Sequence, residues 1–189
     1  MVLVICPGVH PALWTTQFLR QLDEHLPEGK RSRRVFPVQS GNPWSPYALR
    51  SFLETQAIAP ATPLVFVAFS AGCVAAASIA THWAQQGRPV LAVVALDGWG
   101  VPMAGPYHRY RISHDAFTHH TSTYLGAGEA SFYADPPVSH QQLWCSPAQV
   151  TGQQVGKFPA VGHSGRPPIT ALQFLSACLK QHPQALVSL

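Results

Sequence analysis

Charge is scarce in this sequence: Asp, Glu, Lys and Arg make up 11% of its 189 residues, against 47% apolar residues. Such a balance excludes a disordered chain and requires a packed core. Cysteine is sparse too, and Cys6, Cys73, Cys145 and Cys178 stand far apart with no C-x-x-C pair. That excludes a zinc ribbon or a redox dithiol and fits a reduced compartment. No apolar run approaches the roughly 20 residues of a membrane-spanning helix, and the segment Met1 to Cys6 lacks the basic flank of a signal peptide. The expectation is a cytoplasmic protein without a membrane span. Basic residues cluster only at Lys30, Arg31, Arg33 and Arg34, with no stripe interleaved with aromatics, so nucleic acid is not an expected partner.

What the sequence does have is alternation. Val2 to Cys6, Leu64 to Phe69 and Val90 to Leu96 are unbroken apolar runs stopped by turn residues or a serine, as in strands buried on both faces of a parallel sheet. Shorter strands are expected at Arg34 to Val38, Ser131 to Ala134 and Gln153 to Phe158. Helical stripes lie between them. Trp14, Phe18, Leu22 and Leu26 recur every four residues, Ser45-Pro46 reads as a cap with proline at the first helical position, and small residues run on from Ala71 to about Gln86. Ile169, Leu172, Leu175 and Leu179 mark a last helix. The expected fold is α/β: a doubly wound, mostly parallel sheet of about six strands with helices on both faces. It forms one domain over residues 1–189, with a small insertion at about 98–128 over the strand ends, where open α/β sheets bind ligands.

Chemistry concentrates at Ala68-Phe69-Ser70-Ala71-Gly72, where a buried strand passes directly into a small-residue helix. This is the context of a nucleophile elbow, whose sharp turn demands small residues two before and two after the serine. A serine alcohol is unreactive at neutral pH unless a base takes its proton and an acid holds that base. His163, in the loop Val161-Gly162-His163-Ser164-Gly165 after the last expected strand and before the final helix, is the expected base. Two acids end buried strands, Asp97 and Asp135, and Asp97 is preferred. Backbone N–H groups of Val9 and Ala71 are placed to form an oxyanion hole. His108, His114, His119 and His120 crowd the insertion without the i, i+4 pairing of a helical metal site, so no metal is expected. With Trp99, Tyr107, Tyr110 and Phe117 they are read as a cover over an apolar pocket.

On these residues the chain resembles the α/β-hydrolase superfamily over nearly its whole length, beginning at the strand before the oxyanion loop. Its brevity and its Ala-x-Ser-x-Gly elbow are similar to those of the minimal lipases. The elbow Phe69-Ser70-Ala71-Gly72, the helix end Gln86-Gly87-Arg88-Pro89-Val90 and the strand Val94-Ala95-Leu96-Asp97 follow, in order, the thioesterase branch that releases acyl chains from carriers. Trp144, Gly152 and Gly162-His163 resemble its C-terminal part. The superfamily's common pattern implies the acid at Asp135, whereas the thioesterase branch implies Asp97. The resemblance implies a serine esterase or thioesterase that works through an acyl-serine, needs no cofactor, and takes a small acyl ester or thioester, with an acyl carrier as a further candidate partner. The alternative is a non-catalytic scaffold of the same fold that binds a hydrophobic ligand or a protein.

Overall fold

A computed structural model describes residues 1–26, 32–37, 42–156 and 168–182. Its elements alternate along the chain as expected. Strands β1 (Val2–Cys6), β2 (Ser32–Val35), β3 (Leu64–Phe69), β4 (Val90–Leu96), β5 (His108–Ser113), β6 (Ala130–Ala134), β7 (Thr151–Gly156) and β8 (Ile169–Thr170) form one sheet in the order β2-β1-β3-β4-β5-β6-β7-β8. The first six are parallel; β7 pairs antiparallel with β6, and β8 antiparallel with β7, at one edge. Among the described residues the sheet thus has eight strands, not about six.

Helices cover both faces. On one side α1 (Ala12–His25), α5 (His140–Cys145) and α6 (Ala171–Lys180) bury Phe18, Leu22, Trp144, Leu172 and Phe174 against Leu3, Ile5, Val65 and Val67. On the other, α2 (Pro46–Thr55) and α3 (Gly72–Gln85) bury Leu49, Leu53, Ile79 and Trp83 against Val2, Val4, Phe66 and Ala68. Successive residues of one strand serve opposite layers, which is why these strands read as continuous apolar runs. The caps are local chemistry. Ser45 accepts from the Ala48 N–H with Pro46 opening α2, and Thr170 and Gln173 close a reciprocal capping box on α6.

The stretch read as an insertion holds β5, paired on both sides, and then α4 (Ala116–Thr123), within the helix that its sequence offers from Ser113 to Leu125, packed against β5 and β6. With the sequence His-Arg-Tyr-Arg-Ile-Ser, β5 does not look like an interior strand. It becomes one because Arg111, only 2% exposed, spends its guanidinium on main-chain carbonyls. Its Nε donates to Gly126 at 2.7 Å, its Nη1 to Gly98 at 3.3 Å, and its Nη2 to Val101 at 2.8 Å and Leu125 at 3.2 Å. A buried cation is tolerated when its donors are satisfied, and these bonds tie two loops to the sheet.

The strand order switches sides at β1, with β2 on one flank and β3 on the other, so the loops leaving the carboxyl ends of β1 and β3 diverge and open a crevice. The first turn of α3 crosses that crevice so closely that a β-carbon on Gly72 would collide with the carbonyl oxygens of Cys6 and Pro7. Those atoms are backbone and cannot rotate away. Gly72→Ala is expected to destabilise the fold by about 3 kcal/mol or more, read as a lowered urea midpoint; a shift too small to detect would mean that the α3–β1 approach is looser than described.

Candidate active site

Ser70 follows the last residue of β3 with φ +53°, and Asp97 follows the last residue of β4 with φ +50°. Both lie in the left-handed region that residues with side chains seldom adopt, a strain that persists only where surrounding structure imposes it. The register explains their proximity: Phe69 pairs with Leu96, so the two residues leave adjacent strands at the same level. Gly8, in the loop after β1, lies beneath them, where an added β-carbon would meet the Ser70 Cβ at 2.9 Å.

Leu96 in turn pairs with Ile112 of β5, which brings His114 beside Asp97. The Val138 N–H donates to the His114 carbonyl at 3.0 Å and draws the loop after β6 across the same strand ends. Ser139 then caps α5 by accepting from the Gln142 N–H, so His140 stands at the first helical position. The outcome is one carboxylate between two imidazoles. Asp97 Oδ1 accepts from the His114 N–H at 2.9 Å, while Oδ2 lies 2.9 Å from His114 Nδ1 and 2.7 Å from His140 Nδ1.

The two imidazoles differ in what remains to them. His114 Nε2 lies 3.4 Å from Asp115 Oδ2, so both its nitrogens face carboxylates. His140 turns Nδ1 to Asp97 and stacks its ring on Phe69, the residue before Ser70, at 4.4 Å between centroids. Phe69 is itself stacked on Trp144, and Trp144 on Phe18, so the His140 ring rests on an aromatic column rooted in the core. A cavity of about 350 Å³ lies in front of these groups, lined among others by Ser70, Asp97, His114, His140 and Trp99. Trp99 is fastened across it by donating its indole N–H to Thr121 Oγ1 of α4 at 3.0 Å.

Electrostatics follow from this geometry. Burial pushes the Asp97 carboxyl up, but the bonds from His114 and His140 outweigh it and the net shift is downward. The bond to Asp97 lifts His114 above its ordinary 6.5 against the opposing effect of burial. Burial drives the Cys6 and Cys73 thiols far upward, so both stay neutral.

Of the residues singled out in the sequence, Ser70, Ala71 and Asp97 line the cavity together. Val9 is exposed in the loop after β1. Asp135 is exposed as well, and its carboxylate accepts from Gln153 Nε2 at 3.3 Å. His163 lies outside the described residues. The histidine-rich stretch contributes His114 to a three-residue group, Asp97, His114 and His140, whose ligand-capable atoms all lie within 4.8 Å of one another. Reading of the sequence passed over His140. Its signal was its place, at the first helical position after the loop that follows β6. No helix among the described residues is long and apolar enough to cross a membrane. Compared with known proteins, the chain matches no family model and no curated protein.

His114 gains its partner only on folding, so its raised folded pKa contributes stability that is fully present below the unfolded value near 6.5 and is lost as pH rises through the folded value. Asp97, depressed on folding, contributes above its unfolded value near 3.8 and loses that contribution as pH falls through the folded one. The stability difference between wild type and His114→Gln should therefore be larger at about pH 5.5 than at about pH 9. Urea denaturation at the two pH values measures it, and a difference that grows with pH would contradict the assignment.

Proposed function

We propose that the chain is a serine hydrolase that cleaves acyl esters or thioesters through an acyl-serine, with Ser70 as nucleophile, His140 as base and Asp97 as the acid that orients it. The observation that carries this reading is the 2.7 Å contact between Asp97 Oδ2 and His140 Nδ1 beside the strained Ser70 turn. An imidazole holding its Nδ1 proton against a buried carboxylate presents Nε2 as a lone pair. In the reaction the Ser70 oxygen bonds to the acyl carbon while its proton passes to His140 Nε2. The leaving group then departs with that proton, and water repeats the sequence to free the acid. Backbone N–H groups at Ala71 and Val9 are the proposed donors to the oxyanion, the first strengthened by the unspent N–H groups at the start of α3.

In this reading His140 takes the role that the sequence alone assigned to His163, and His114 is a positioning residue that holds Asp97 from its other side. Asp97 rather than Asp135 is the acid, because only Asp97 of the two touches an imidazole among the described residues. The preference for apolar acyl groups is supported by a trench of about 480 Å³ along α3, lined in part by Ala77, Val101, Pro102 and Ala104. It shares Val74 and Val101 with the Ser70 cavity and so extends it.

A fluorophosphonate probe tests the chemistry directly. Wild type should label and Ser70→Ala should not, while aryl-ester or acyl-thioester turnover falls by about 10⁴-fold or more in Ser70→Ala and His140→Ala. Equal labelling of wild type and Ser70→Ala would place the nucleophile elsewhere, and a wild type that does not label would leave the chain as a binding scaffold. Loss of turnover in His163→Ala with His140→Ala near wild type would return the base to His163.

Val74→Trp, at the junction of cavity and trench, should lower the ratio of decanoyl to acetyl ester kcat/KM by about tenfold. An unchanged ratio would place the acyl chain elsewhere.

A further inference from the structure

We propose that Asp97, His114 and His140 form a binding site for a divalent cation of the zinc class, and that its occupation shuts the hydrolytic centre. The binding half of the proposal stands by itself; the shutting half rests on the serine hydrolase reading. The starting observation is a surplus. A catalytic acid needs one imidazole to orient, yet Asp97 Oδ2 meets two, both through Nδ1 and at nearly equal distance, 2.7 and 2.9 Å. Two imidazole nitrogens and one carboxylate oxygen are the donor set that zinc takes when a fourth position is left open.

The geometry fits with small movements. Zinc holds nitrogen and oxygen at about 2.0–2.2 Å, which sets tetrahedral neighbours about 3.3–3.5 Å apart. The three ligand atoms already lie within 4.8 Å of one another; the two contacts to Asp97 need to open by about half an ångström, and the two imidazole nitrogens to settle about 3.4 Å apart. Asp97 and His114 leave the ends of paired strands, which makes them rigid supports, whereas His140, with 46% of its side chain exposed, is held by its stacking on Phe69 and by the bond to Asp97 that the ion would replace. The cavity in front of the three leaves room for a water as fourth ligand.

Inhibition follows from the tautomer. An ion on His140 Nδ1 displaces the hydrogen that bonds Asp97, and a neutral imidazole ligated there carries its proton on Nε2. The lone pair that would accept the Ser70 proton is then gone. No covalent step is involved, and chelation of the ion restores the original tautomer. At His114 the ion competes with a proton, so the site weakens as pH falls.

Cobalt reports on binding without any need for turnover. The full chain carrying Ser70→Ala, titrated with Co2+, should develop the visible d–d absorption of a four-coordinate ion at one equivalent, and Zn2+ should displace it. Adding His114→Ala should weaken binding by about tenfold or more, whereas His120→Ala, at an exposed position of α4, should leave it unchanged. Zn2+ should raise the melting temperature of the parent and not of the His114 variant; if His114→Ala does not melt cooperatively, His114→Gln, which keeps the backbone bond to Asp97, replaces it. In wild type, Zn2+ should abolish fluorophosphonate labelling, and a chelator should restore it. Absence of a one-equivalent site, or equal affinity with and without His114, overturns the cation site. Binding that leaves labelling intact overturns the inhibitory role. A wild type that never labels refutes the hydrolase reading instead, and leaves the cation site to be judged on its spectrum.

Discussion

Everything at this site depends on how closely the main chain of the first α3 turn can approach the loop after β1. That approach is a backbone-to-backbone contact at Gly72, with Gly8 beneath Ser70, and no side chain can be inserted at either point without moving a strand. It forces the turn at Ser70 to be tight enough to hold the serine at φ +53°, and it points the start of α3 at the space above the sheet. The strain is maintained because β1 is paired with β3 along its whole length, and β3 with β4 up to Phe69, within two apolar layers.

Two buried charges then organise what surrounds the elbow, and they do so differently. Arg111 has no carboxylate partner in its hydrogen-bond set and is satisfied by four carbonyls, so its charge goes into holding the loops at 98–101 and 125–126 on the sheet. Asp97 keeps its charge by binding imidazoles, and so stays chemically available at the cavity wall. Had the two charges paired with each other, the carboxylate would have been spent on structure. Their separation leaves the Arg111 cation holding loops and the Asp97 carboxylate open to the cavity, only a short distance apart on neighbouring strands.

The aromatic column behind His140 deserves the same physical reading. Phe18, Trp144 and Phe69 stack face to face, and the last of them carries the histidine ring. Stacking fixes the plane of the ring, and the bond to Asp97 fixes its rotation within that plane, so two independent contacts define where Nε2 points. The column links α1, α5 and β3, which makes the orientation of one exposed side chain a property of the whole helical layer on that face.

Local sequence was enough to specify the runs that became β1, β3 and β4, the helices beside them, and the elbow at Ser70, because apolar continuity, capping residues and the small residues flanking the serine are all short-range signals. It also put an acid at the end of β4. It hid β5, since the two arginines and the histidine of that strand look solvated until the carbonyls that satisfy Arg111 are brought around it. It also hid His140, because nothing within a few residues of it indicates chemistry; that histidine gains a partner only when the order β4-β5-β6 and the bond from Val138 to His114 carry it back to Asp97. The sequence alone determined which segments are buried and where a strand turns sharply into a helix at Ser70. Which imidazoles meet which carboxylate was decided by tertiary structure, because Asp97 and His140 are 43 residues apart and only the pairing of strands sets the distance between them.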